Sequence, residues 1–129
     1  MHALAVLLSG LVAGGILFQS AVNAPLIFNT LEIAQARPLL RAIFPRLFRV
    51  SAALGVLLFA VVLMADLGFA AFSAAVVTVL FSVIAAALVP ATNRAADDGD
   101  QEKFKALHRI SVLLTMVVLL VNLGWPFLI

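Results

Sequence analysis

Four long apolar stretches, separated by clusters of charge, set the pattern of this 129-residue chain. From Met1 to Leu31 no side chain is charged. Within that stretch Ala3 to Val22 matches the roughly 20 residues a helix needs to cross a hydrocarbon core about 30 Å thick. His2 but no Lys or Arg precedes it, so it lacks the basic start of a cleaved signal peptide and is expected to be a retained helix. A second uncharged run, Val50 to Ala65, reaches crossing length if Leu47 and Phe48 join it and Arg46 and Arg49 snorkel to the interface. Asp66, Leu67 and Gly68 predict a tight connection. A third run, Phe69 to Val89, is closed by Pro90, and a fourth, Ile110 to Ile129, carries Trp125 near its end, where an indole prefers the interface. The pattern predicts one domain over residues 1–129 with spans at about 3–22, 47–65, 69–89 and 107–128.

Between the first two runs, Leu39, Leu40, Ile43, Phe44, Leu47 and Phe48 recur at helical spacing, with Arg37 and Arg41 one turn apart. Pro38 suits a first helical turn and Pro45 should break or kink the helix. An interfacial amphipathic helix leading into the second span is expected. Residues 91–104, with the run from Asp97 to Lys103, read as a solvated loop. The expected fold class is therefore all-α: an integral membrane four-helix bundle with an interfacial amphipathic helix between its first two spans. Lipid gives apolar helices no reason to associate, so close approach at small residues must hold the bundle. Gly10 and Gly14, Ser51 and Gly55, and the stripe Ala74, Thr78, Ser82 and Ala86 have that spacing and are expected to be the buried faces, with Phe and Leu turned to lipid.

Composition agrees with the pattern. The chain is 65% hydrophobic and 11% charged, whereas soluble domains carry about 25% charged residues. All eight Lys and Arg residues fall in two segments, 37–49 and 94–109, which four crossings put on one side. The positive-inside rule makes that side cytoplasmic, so both termini are expected to be periplasmic in a bacterial inner membrane. A net charge of +2, thinly spread, is no footprint for nucleic acid. Arg37, Arg41, Arg46 and Arg49 should instead draw anionic lipid head groups on the cytoplasmic face, at roughly 1 kcal/mol per cation. With no cysteine in the chain, disulfides, thiolate metal sites and cysteine catalysis are excluded.

Polar groups inside a membrane are costly, and so they are the places to look for function. His108, Ser111, Thr115 and Asn122 share one helical face, and Gln19 and Asn23 lie one turn apart. Gln19, Asn23, Asn93, Arg94, His108 and Arg109 are expected to converge at the cytoplasmic mouth of the bundle. They could form a small binding site or an ion or proton path with His108 as carrier. The alternative is that they satisfy each other and cap helix ends where Pro25 and Pro90 free backbone groups. A haem held by two histidines is disfavoured, because His2 and His108 fall on opposite sides of the membrane. The acidic run lacks the order of a calcium loop. No phosphate loop, nucleophile elbow, zinc motif or catalytic carboxylate pair is present. No metal and no cofactor is expected, and the reading leans away from an enzyme.

Two blocks carry a family resemblance. One is Gly14-Gly15-Ile16-Leu17-Phe18-Gln19-Ser20 with Ala24-Pro25-Leu26-Ile27-Phe28 and Phe44-Pro45-Arg46; the other is Asn93-Arg94, a short charged loop, and Leu107-His108-Arg109-Ile110-Ser111-Val112-Leu113. In these the chain resembles the transmembrane protein 205-like proteins, which share a domain of unknown function. The resemblance implies a four-helix membrane domain with His108 and Arg109 at a recurring position. The leading expectation is a non-enzymatic membrane module, free-standing, self-associating or an accessory subunit of a membrane complex. The alternatives are a small transporter or channel-like unit using the His108 cluster, and a haem-associated membrane redox protein.

Overall fold

The computed structural model describes residues 1–128; Ile129, which closes the fourth apolar run, lies outside them. The chain forms α1 (His2–Phe18), a π-helical turn (Gln19–Asn23), α2 (Ala24–Thr30), α3 (Ile33–Ala65), α4 (Gly68–Asp97), α5 (Gln101–Gly124) and a closing 3-10 turn (Trp125–Phe127). Because α1, the π turn and α2 run on as one rod, there are four rods, each long and apolar enough to cross a membrane. Their connections are two or three residues long, which makes successive rods antiparallel. They close into a ring: α1 packs on α3 and α5, and α4 packs on the same two helices from the other side. All eight Lys and Arg residues consequently sit toward one end of the bundle, with the α2–α3 and α4–α5 connections.

Neither Pro45 nor Pro90 ends a helix, and Pro38 does not fall in a first turn. Pro38 and Pro45 lie inside α3 and Pro90 inside α4. The predicted interfacial helix is therefore not a separate element but the first half of a single 33-residue helix. At 1.5 Å per residue that helix is about 50 Å long, well beyond the hydrocarbon thickness. Likewise α4 continues two turns past Pro90, and the solvated loop shrinks to Asp98–Asp100. Proline removes one N–H and crowds the carbonyl four residues back, but a helix packed among others survives when further donors serve the loosened turn. The Arg46 guanidinium donates to the Ala42 carbonyl at 2.9 Å and the Thr92 hydroxyl to the Leu88 carbonyl at 2.8 Å, each next to a proline turn though not to the carbonyl that the proline leaves free. Pro25 is accommodated differently. The turn before it widens so that the Ala24 N–H bonds the Gln19 carbonyl five residues back.

The core is built from small residues on α4 facing branched ones on its neighbours. Ala71, Ala74 and Ala75 meet Ala5 and Leu8 of α1 and Leu58, Val61 and Val62 of α3. Ser51, Gly55, Ala74, Thr78 and Ser82 are buried, while Ala86 is half-buried and Ala85 takes the innermost place beside it. The tightest approach is at Gly55, where a Cβ would stand 2.9 Å from Thr78 Cγ2 and 3.2 Å from the Val79 backbone nitrogen. Gly10 and Gly14 do not belong to this packing. Both are exposed on the outer side of α1, with nothing within 4 Å of the position a Cβ would take. Their spacing marks a smooth helix face, and the neighbours of α1 lie on its other face, at Ala5, Leu8, Val12, Ala13 and Ile16.

Candidate functional site

Among the described residues the buried polar side chains are Ser9, Gln19, Ser51, Thr78, Ser82 and Asn122, none of them ionisable. At the end opposite the cations, the single tryptophan closes the bundle. Trp125 is 2% exposed, and its Nε1–H donates to Ser9 Oγ at 2.7 Å across 116 positions of sequence. This corrects the expectation of an indole lying in the interface: a buried hydroxyl on α1 satisfies its N–H inside the bundle. His2 lies edge-on to the indole at 6.0 Å. One layer deeper, Asn122 Nδ2 donates to Thr78 Oγ1 at 2.7 Å and to the Val118 carbonyl at 2.8 Å, and the Thr78 hydroxyl donates to the Ala74 carbonyl at 2.7 Å. The Asn122 Oδ1 is buried without a partner among the described residues.

Toward the cation end the widened turn before Pro25 carries Gln19 on the inner stripe of the first rod, 4% exposed. Its Oε1 accepts from Asn23 Nδ2 at 3.1 Å, and its Nε2, fully enclosed, donates to nothing among the described residues. A π turn often marks a functional position, and a buried amide donor left single is costly. One turn further in, next to Ile16, a cavity of about 10 Å³ opens among Ser51, Ser82 and Thr115.

The six residues expected to converge at this end are not brought together. Gln19 and Asn23 bond to each other. Asn93 is half-buried on α4, and Arg94, His108 and Arg109 are exposed; among the described residues none of these four hydrogen-bonds to Gln19 or Asn23 through its side chain. The His108 ring stacks on Phe104 four residues earlier, 5.7 Å between centroids and 7° from parallel. The α5 face that begins at His108 turns inward only gradually: Ser111 and Thr115 are half-buried and Asn122 is buried.

What the end does join is α3 to α4. Arg41 grips Asp97 through both carboxylate oxygens, at 2.6 and 3.3 Å. Asp97 lies two turns beyond the third apolar run and is exposed, outside the membrane-spanning stretch. The hydrogen bond from Arg41 holds its carboxyl below the usual carboxylate range, with the charges of Arg41 and Arg37 adding to the effect. Asp100 caps α5 by accepting from the Lys103 N–H at 3.1 Å. Arg49 remains exposed beside Arg46, at the start of the second apolar run.

Four apolar rods around a core of uncharged polar pairs, with all the cations at one end, define a multi-pass helical membrane protein. The chain belongs to the DUF4149 family, whose model, described as a domain of unknown function, matches residues 7–101. The match ends at Gln101, where α5 begins, so His108 and Asn122 lie beyond it. No curated protein and no solved structure matches the chain.

Proposed function

We propose that this chain is a non-enzymatic helical module of a bacterial inner membrane, acting as an accessory subunit of a membrane complex or as a homo-oligomer. The observation that carries the reading is that, among the described residues, the buried polar side chains are all uncharged and most are spent in helix-to-helix or local bonds, with no ionisable group beside the buried hydroxyls to activate them. The grouping of eight cations at one end supports a cytoplasmic assignment for that end and periplasmic termini. Of the four arginines on α3, Arg41 is engaged by Asp97, which leaves Arg37, Arg46 and Arg49 as the stronger candidates for anionic head groups. Within the DUF4149 family, the finer assignment to the transmembrane protein 205-like proteins rests on the two sequence blocks above.

Purification from native membranes in mild detergent, followed by mass spectrometry and absorption spectroscopy, tests this reading. A stoichiometric membrane-protein partner or a defined homo-oligomer is the expected result. A bound chromophore would instead favour the redox alternative.

A transporter or channel-like unit is the second reading, favoured by the unpaired Gln19 amide at the π turn. It predicts solute- or proton-driven flux in proteoliposomes. Its original carrier, His108, is tested by His108→Gln, which keeps hydrogen-bonding capacity but removes the titrating ring. Flux that survives in His108→Gln but fails in Gln19→Leu would move the site to the π turn.

A further inference from the structure

Hydroxyl groups inside a helical bundle ordinarily turn back on their own backbone. Thr78, Thr92 and Thr115 do so here, donating to the carbonyls four residues earlier at 2.7, 2.8 and 2.7 Å. Ser51 and Ser82 do not. They are 4% and 3% exposed, yet among the described residues neither side chain makes a hydrogen bond. Both line the same small cavity, with Thr115 as the third hydroxyl and Ile16, Phe48 and Phe81 among the apolar walls. The three hydroxyls come from three different helices, α3, α4 and α5.

We infer that this cavity is a binding site for one ordered water molecule, which ties α3, α4 and α5 together inside the membrane. Its volume, about 10 Å³, is the size at which a single water begins to fit, roughly 10–15 Å³ on this measure, and such a water takes about 2–4 polar partners. The bonding closes. Ser51 and Ser82 each have a free O–H to give to the two lone pairs of the water. Thr115 Oγ1, whose own hydrogen goes to the Ser111 carbonyl, keeps lone pairs that accept one hydrogen of the water. The water then makes three hydrogen bonds, one to each helix, within the usual range. The arrangement also accounts for two serines at places where alanine would pack as well: without a partner a buried hydroxyl is a net cost, and with water it becomes a cross-link. The inference is independent of the accessory-subunit reading, because capture of a partner neither requires nor excludes the water.

The test compares the full chain with Ser51→Ala, Ser82→Ala and the double variant in lipid nanodiscs, by thermal unfolding and by radiolytic hydroxyl labelling, which marks side chains next to bound water. Phe48 is the reporter, since it lines the cavity and is only 7% exposed. The expected result is labelled Phe48 in the wild type, with labelling falling several-fold in the double variant. Each single substitution should lower the melting temperature by a few degrees, and the double by less than the sum, because both remove the same water. Unlabelled Phe48 in the wild type, or labelling unchanged in the double variant, overturns the inference. So does a melting temperature unchanged or raised by either alanine, the behaviour of a dry cavity losing an unpaired hydroxyl. The wild-type labelling needs no variant to fold, and it decides where the two measurements differ.

Discussion

Gly55→Ala adds a single methyl group at the closest crossing of α3 and α4, and the geometry fixes what that methyl meets. It would stand 2.9 Å from Thr78 Cγ2, 3.0 Å from Val79 Cγ2 and 3.2 Å from the Val79 backbone nitrogen. The first two atoms belong to β-branched side chains with few alternative rotamers in a helix, and the third cannot move without α4. Relief therefore comes from separating the helices by a few tenths of an ångström, which loosens the alanine-rich packing of Ala71, Ala74 and Ala75. Overpacking of this kind costs about 1–3 kcal/mol, partly offset by up to about 1 kcal/mol from the better helix propensity of alanine. Gly14→Ala is the matched control. It brings the same gain in propensity and meets nothing within 4 Å, so it should be neutral or stabilising. Thermal or denaturant unfolding in nanodiscs should rank Gly14→Ala at or above wild type and Gly55→Ala below it. Thr78→Ser, which removes Cγ2 but keeps the hydroxyl that Asn122 bonds, should be less damaging in the Gly55→Ala background than alone. Equal stability of the two glycine variants would refute the crossing as described.

Three further outcomes follow from the same geometry. Trp125 is the chain's one tryptophan, so its fluorescence should be blue-shifted and little quenched by brominated lipids; strong quenching would place the indole in the interface after all. The Asp97 carboxyl, depressed by Arg41, should titrate below the usual carboxylate range in carboxyl-resolved NMR and move up in Arg41→Gln. Since the folded pKa is the lowered one, the Arg41–Asp97 tie contributes above the unfolded carboxylate value of about 3.9 and is lost as pH falls through the depressed one. Reporter fusions at the Asp66 turn and after the last residue should read periplasm, and one at Gly99 cytoplasm; a cytoplasmic C-terminus would break the proposed orientation.

The four apolar rods were legible because uncharged runs of this length have few other uses, and the small-residue stripe on α4 because Ala74, Thr78 and Ser82 keep one face over two turns. What misled was information that lives in the neighbours. Pro45 and Pro90 look like stops in sequence because a lone helix would lose a bond there, and nothing local shows that α3 and α4 are packed against each other and against α5 or α1. Gly10 and Gly14 show that a face is smooth, not which way it points. Trp125 has its hydrogen-bond partner at Ser9, at the far end of the chain, so hydropathy alone sends it to the interface. Ser9 itself was within reach: it falls in step with Ala5, Val12 and Ile16, the residues that pack inward from α1. The convergence around His108 failed for a simpler reason, since sharing an end of the bundle does not make side chains meet.

The brevity of the connections also governs how this molecule can move. Only Leu31 and Glu32 separate α2 from α3, and only Asp66 and Leu67 separate α3 from α4. Two extended residues reach at most about 7 Å, and these are already committed to reversing the chain. Sliding one rod along its neighbour by a helical turn, about 5.4 Å, would unravel the end of one or the other. Piston strokes are thereby closed to this protein. Rods so joined are free to tilt about their corners, and the ends of α3 and α4, tied by Arg41 and Asp97, tilt together.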